Sequence, residues 1–287
     1  MKKLYKTEKI RKSVQIFFFV LIAFIAVNHT LYEEGKSIIP FISTASLHAV
    51  CPFGGVVTVY ELIKTGNFVQ KIHESSLILA ITVFLSAVFV GPAFCGWICP
   101  FGTVQEFFSF LGRKIFKKRF GKILPSKLER ILEYFRYAVL AAVIYLTAVS
   151  AKLIFQDVDP YYALFQFWTG EVAVSALIIL GVFLVLSLIT ERPWCRFACP
   201  YGAFLGLTNL FRILPIRKNS SKCISCSKCD RECPVGINVS EKTVIRDHRC
   251  ISCLKCTSDA ACPVPETINL KISPYKELST DTKGAGK

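Results

Sequence analysis

Acidic side chains are scarce in this 287-residue chain: 20 Asp and Glu stand against 35 Lys and Arg, a formal net charge of +15. Charge of either sign is almost missing from four stretches. Val14 to Val27 is nearly unbroken apolar sequence, Leu77 to Phe94 and Val172 to Ile189 carry no charged residue, and Tyr137 to Phe155 is interrupted only by Lys152. With 53% hydrophobic residues and 24 phenylalanines, the chain is too apolar for an ordinary soluble domain. No small-x-small cleavage pattern follows Val27, where the sequence reads Asn28-His29-Thr30-Leu31. The basic N-terminus and first apolar run therefore read as an uncleaved signal anchor, not a removed signal peptide. Kinase, DNA-binding and ligand-sensing modules are also absent, so a redox-sensor role ranks last.

What is present begins with the four apolar stretches. A spanning helix needs about 20 largely apolar residues, with about 17 the practical minimum. Spans are expected at about 14–31, 75–94, 137–155 and 172–189. The second and fourth qualify outright, the first needs Asn28–Leu31 to reach length, and the third requires Lys152 to snorkel to an interface. Lys and Arg crowd the N-terminal residues 1–13 and the stretch 113–136, whereas the loops 28–76 and 156–171 are poor in them. The positive-inside rule puts the crowded segments in the cytoplasm. Both termini then lie inside a prokaryotic cytoplasmic (inner) membrane, as an even number of spans requires. The basic surplus is accounted for by attraction to anionic membrane lipid, and no nucleic-acid partner is needed. Phe107 to Phe135 alternates apolar and basic residues at helical spacing and is expected to lie on the inner surface, broken near Pro125. The polar tail 274–287 is expected to be disordered.

Thirteen cysteines supply the chemistry. Cys223, Cys226, Cys229 and Cys233, followed by Pro234, form C-x2-C-x2-C-x3-C-P, the spacing of bacterial iron–sulfur ligation. Cys250, Cys253, Cys256 and Cys262, followed by Pro263, repeat it with two extra residues before the last cysteine. Three thiolates on a tight turn converge on three irons while backbone amides point at the sulfides; the fourth ligand comes from elsewhere. In the two-cluster arrangement the distal cysteine of each run serves the other cube. Cys223, Cys226, Cys229 and Cys262 are thus expected to hold one 4Fe–4S cluster, and Cys250, Cys253, Cys256 and Cys233 a second. Zinc needs neither the third cysteine in phase nor the Cys-Pro, and a cytosolic setting keeps such thiols out of disulfides.

A second cysteine pattern recurs at an offset of one hundred residues. Phe94-Cys95-Gly96-Trp97-Ile98-Cys99-Pro100-Phe101-Gly102 closes the second apolar stretch and Trp194-Cys195-Arg196-Phe197-Ala198-Cys199-Pro200-Tyr201-Gly202 the fourth. Two helical hairpins of the same orientation imply a parallel repeat about an axis along the membrane normal. On a helix, residues four apart share a face, so each pair is expected to present two thiols in one direction. Together Cys95, Cys99, Cys195 and Cys199 suit a further iron–sulfur cluster, a soft metal such as Cu(I), or a redox-active thiol set; buried packing is the plain alternative. Cys51, in His48-Ala49-Val50-Cys51-Pro52-Phe53-Gly54-Gly55, echoes the Cys-Pro-aromatic-Gly element in an outer loop apolar enough to re-enter the membrane. It is a weaker candidate for metal binding or for lining a quinone pocket.

These residues resemble the membrane-bound polyferredoxin family related to NapH and to the membrane portion of NosR. The likeness rests on Cys95-x3-Cys99-Pro100, Cys195-x3-Cys199-Pro200, Cys51-Pro52-Phe53-Gly54-Gly55 and the two ferredoxin runs, and it covers Val14 to about Pro274. It implies an α-helical membrane protein with a four-helix core at 14–212 and a C-terminal α+β two-cluster ferredoxin-like domain at 213–273. It also implies electron transfer between the quinone pool and a redox partner protein, ferredoxin-like or a reductase subunit. The flavin-binding extracellular domain of the NosR type is absent. Of the titratable residues near the expected interface, Glu61, His48 and Glu106, none stands out as a quinol base. The alternative function is a copper reductase or metalloenzyme maturation accessory acting through the Cys-x3-Cys-Pro thiols.

Overall fold

The computed structural model describes residues 5–33, 74–117, 120–121, 125–150, 155, 158–167 and 172–272. Cys51, His48, Glu61, Lys152 and the tail 274–287 lie outside them. The first apolar stretch forms a single helix, α1 (Tyr5–Glu33), which also takes up most of the basic N-terminal segment. Thr7–Asn28 within it is, among the described residues, the one segment long and apolar enough to cross a membrane. The second stretch forms α2 (Glu74–Val90), and a break at Gly91-Pro92 leads to the short α3 (Ala93–Trp97) and then α4 (Pro100–Phe116). The third forms α5 (Ser126–Ser150), which starts one residue after Pro125. After a helix of about two turns, α6 (Pro160–Gln166), the order of the first unit returns: α7 (Val174–Ser187), α8 (Pro193–Phe197) and α9 (Pro200–Thr208).

The fourth apolar stretch, 172–189, yields in α7 14 helical residues, about 21 Å at 1.5 Å per residue. Its ends are fixed by backbone, not by hydropathy: Ala173 is extended with ψ 136°, and beyond Leu188 the chain turns into left-handed Arg192 (φ 48°). One expectation needs correcting, that for the cysteine pairs. Cys95 and Cys99 do not share one helix, nor do Cys195 and Cys199. Cys99 (ψ 113°) and Cys199 (ψ 113°) are the residues that cap α4 and α9. The following proline excludes the α conformation from each of them and opens a new helix at its own first position.

The C-terminal domain is built on a three-stranded antiparallel sheet of order β2-β1-β3, with β1 (Ile216–Lys218) central, β2 (Val244–Ile245) and β3 (Ile268–Leu270). Ile216 faces Ile245 on one side and Leu270 on the other. Its buried side includes Ile216, Val235, Ile237, Val239, Ile245 and Ile268, and the same core takes in Val83 and Ala87 of α2 and Leu205 of α9. The cysteine-rich domain is therefore seated directly on the helical one. Contact at that seam is backbone-close: a β-carbon on Gly96 would lie 2.5 Å from Ile251 O and 3.1 Å from Cys253 N, and one on Gly206 would strike His248 O.

Candidate functional site

In each ferredoxin run the backbone alternates in the same way. The residue two after the first cysteine and the residue four after it are left-handed: Ser225 (φ 53°) and Ser227 (φ 51°), then Ser252 (φ 48°) and Leu254 (φ 56°). For side-chain-bearing residues this costs about 1–2 kcal/mol each. The return is a concave array of backbone N–H groups, the geometry that holds anions and cluster sulfides. Strain of this kind, repeated in register at two places, marks a turn shaped around a ligand.

One distal cysteine stands with the other run. Cys233 joins Cys250, Cys253 and Cys256 around a small closed cavity whose remaining wall is apolar, from Ile216, Val235, Ile237, Val239 and Ile245 among others. Cys262 lies within electrostatic reach of Cys229. Burial, with the neighbouring Cys253 thiol adding to it, pushes the Cys233 thiol up to about 12. A dry pocket of four thiols is unfavourable for bare thiolates, and it fits a cationic iron core that neutralises them. Cys226 is exposed while Cys250 and Cys256 are buried, so the two sites differ in access.

A second thiol-lined cavity lies at the junction of the repeats. Cys95, Cys99, Cys195 and Cys199 all line it, with Phe101, Phe155, Asp159, Tyr161 and Trp194 on one side and His248, Arg249, Cys250 and Ile251 on the other. Each capping cysteine stands at a helix N-terminus, and the Gly202 amide donates to Cys199 Sγ at 3.2 Å. Burial first, and the Cys195 thiol next, lift Cys99 to about 12. Among the described residues no three His, Cys, Asp or Glu side chains converge as one metal ion would require.

Side chains that the sequence reading did not single out hold the motifs together across the repeats. Gln105 of the first unit accepts from Trp194 N at 3.1 Å and approaches Cys195 Sγ at 3.7 Å. Arg192 of the second unit, fully buried, donates to Cys95 O and, through Nε, to Glu106 Oε1 at 2.9 Å. Arg11 of α1 reaches the same Glu106 oxygen at 2.9 Å. Burial alone would raise Glu106; the Arg192 and Arg11 guanidiniums outweigh it and hold the carboxyl at about 2. It is therefore a permanent counterion and a poor proton acceptor. Arg212, also fully buried, bonds Asn209 Oδ1, Ser252 Oγ and Ile245 O, and Asn209 Nδ2 donates to Cys250 O at 2.6 Å. The available signal was a lone arginine beside an apolar run, as in Arg192-Pro193-Trp194-Cys195.

Comparison with known proteins attaches a description to these motifs. Residues 72–119 and 172–218 each match a family model described as a 4Fe-4S binding domain. The two matches bracket Cys95–Cys99 and Cys195–Cys199, one unit apiece, and stop short of the ferredoxin runs. The chain is 27% identical over 272 residues to "Putative electron transport protein YccM" of Escherichia coli, covering 91% of this chain and 75% of that one. It is 32% identical over 193 residues to the uncharacterized protein MJ0750 of Methanocaldococcus jannaschii, 67% of this chain and 76% of the relative. Over 158 residues it is 33% identical to "Ferredoxin-type protein NapH" of Haemophilus influenzae, about half of each chain at 54% and 52%. No solved structure matches. Repeated cluster-binding units and this set of relatives lead to one conclusion: the chain belongs to the NapH- and NosR-related family of ferredoxin-type 4Fe–4S proteins.

Proposed function

We propose that the protein is a membrane-anchored electron conduit with three iron–sulfur sites, passing electrons between quinone in the bilayer and a redox partner protein at the cytoplasmic face. Cys250, Cys253, Cys256 and Cys233 hold one 4Fe–4S cluster, Cys223, Cys226, Cys229 and Cys262 another, and Cys95, Cys99, Cys195 and Cys199 a third. The clusters, when bound, supply one-electron transfer. The chain's part is to fix their order and surroundings. The observation that carries this reading is that the cavity lined by the four Cys-x3-Cys-Pro thiols is also lined by Cys250 and Ile251. Two thiol sites thus share one wall, and the exposed Cys226 puts the remaining site outermost, where a partner docks.

Membrane anchoring by α1, α2, α5 and α7 as two hairpins is supported by a belt of large apolar side chains facing outward. Phe17, Ile78, Ile144 and Ile178 are each at least half exposed; exposure on this scale is costly in water and is matched by lipid. The short α7 then relies on its flanking segments to complete the crossing.

Iron and acid-labile sulfide analysis, with electron paramagnetic resonance, tests the proposal. About 12 irons per chain are expected, falling to about 8 in a Cys95→Ala/Cys195→Ala variant. A parent protein with about 8 irons, unchanged in that variant, removes the third site. Failure of every quinol and quinone to exchange electrons with the loaded protein removes the quinone link.

A further inference from the structure

A third cavity, with no cysteine on its wall, lies between α1 and α4. It measures about 420 Å³, within the range of small-molecule sites. We infer that this cavity is the seat of the quinol headgroup, and that Glu191 on its wall takes up the protons released there. The inference rests on the quinone-linked reading above and gives it a location.

Four observations converge. First, its wall carries four cationic side chains and four carboxylates. A lipid phosphate is drawn to surplus positive charge, whereas a balanced wall suits a neutral head that both donates and accepts hydrogen bonds. Second, polar atoms on that wall lack partners: Arg11 Nε and Glu191 Oε2 are buried with no hydrogen bond. Arg11 is only 2% exposed, and a buried orphan donor of this kind costs about 1–3 kcal/mol. A quinol oxygen satisfies the donor, and a quinol hydroxyl satisfies the carboxylate.

Third, the cavity is flanked by Ile16, Phe107 and Phe110, which are 60%, 65% and 56% exposed. An apolar tail leaves along that face into lipid. Fourth, the cavity backs onto a cluster turn. Arg11 Nη1 and Gln15 Nε2 both donate to Gly96 O, at 3.4 and 3.1 Å. Gly96 itself abuts the Cys253 backbone, so one residue separates the cavity wall from a proposed cluster ligand.

The step balances as follows. Quinol loses its two hydroxyl protons and two electrons to become quinone. The electrons leave one at a time to an oxidised iron–sulfur centre of the class proposed for the Cys250 run. Each proton passes to Glu191, whose side chain also lines a wider cleft of about 660 Å³ together with Arg113 and Glu232, and from there to water. Glu191 is ion-paired through Oε1, with Arg113 and with Lys255 at 3.7 Å, and keeps Oε2 open for a proton; Glu106 does not serve, because Arg11 and Arg192 occupy its Oε1 and Gln15 its Oε2.

The test uses the full-length, cluster-loaded protein in lipid nanodiscs, an azido-substituted short-chain quinone as photolabel and a short-chain quinol as reductant. Label is expected on peptides containing residues 8–16 and 103–113. Ile16→Trp, at an exposed position that folding tolerates, raises the KM for the quinol about tenfold with little change in kcat. Glu191→Gln lowers kcat about tenfold while reduction by dithionite is unchanged. Gly181→Ala, in α7 with nothing within 4 Å of its β-carbon, alters neither constant, and Asp159→Asn probes the thiol-lined cavity as the rival seat. Label on residues 155–161, or a quinol defect in Asp159→Asn with normal Glu191→Gln, overturns the inference and leaves quinone-linked transfer standing. If no quinol reduces the parent, that broader reading falls; label in this cavity then still upholds the site, and label elsewhere overturns it.

Discussion

Replacing Gly96 by alanine probes the seam between the helical and the cysteine-rich domain. The added β-carbon falls 2.5 Å from Ile251 O and 3.1 Å from both Cys253 Cα and Cys253 N. Ordinary contact begins about 0.9 Å further out than the first of these. All three obstructing atoms are backbone, in a turn already held left-handed at Ser252 and Leu254, so no side chain can swing aside. Overpacking of this kind costs about 1–3 kcal/mol. Because the strain falls on the Cys250–Cys253 turn, thermal unfolding in detergent is expected to shift down by a few degrees. The paramagnetic signal of the cluster on that run should broaden before the other signals change. Gly181 in α7 provides the matched control: nothing lies within 4 Å of its β-carbon, and alanine there should stabilise the helix by up to about 1 kcal/mol. A Gly96→Ala protein with parental melting and a parental spectrum would refute the argument that the two domains meet backbone to backbone.

Other changes address separate parts of the molecule. Arg192→Met leaves the Glu106 carboxylate with Arg11 and the neutral Gln15 amide and removes the donor to Cys95 O; a loss of about 3–5 kcal/mol is expected, partly restored by adding Glu106→Gln, as chemical denaturation will show. Cys233→Ala and Cys262→Ala should each delete a different cluster, the former the one on the Cys250 run, and redox titration with paramagnetic detection separates them; loss of the same signal in both contradicts the crossed pairing. Asp159 caps α6 by accepting from Tyr161 N at 3.0 Å, and burial lifts its carboxyl to about 7. In the unfolded chain it titrates near 4, so between about pH 4 and 7 the native state holds the extra proton and stability from this group declines as pH rises. Asp159→Asn keeps the cap and should gain in melting temperature relative to the parent across that interval, with a constant difference above it; a pH-independent difference contradicts the burial argument.

The tight cysteine turns were legible from spacing because their geometry is local. Three cysteines at intervals of three, with a proline after the fourth, describe a short loop whose shape barely depends on the rest of the fold, and both loops adopt the same left-handed alternation. The hundred-residue repeat was legible for the same reason and returns as α2-α3-α4 and α7-α8-α9. The helix-face argument for the Cys-x3-Cys pairs failed on one local fact, the constraint that Pro100 and Pro200 place on the residue before them. The four thiols meet all the same, across a cavity instead of along a helix.

Nothing in local sequence could have identified the partners that hold these pieces together. Gln105 meets Cys195 at a separation of 90 residues and Arg192 meets Cys95 at 97, and Asn209 and Arg212 clasp the Cys250 run only because α9 lies beneath it. The length of α7 belongs here too, since its ends are set by turns that pack against other elements. Spacing and periodicity determined the cysteine turns and the repeat, which rest on chain geometry over a few residues. Only the tertiary structure decided which thiols share a wall, which arginines neutralise the interior and where a polar cavity meets the exposed apolar surface, because those depend on long-range burial that a one-dimensional pattern does not carry.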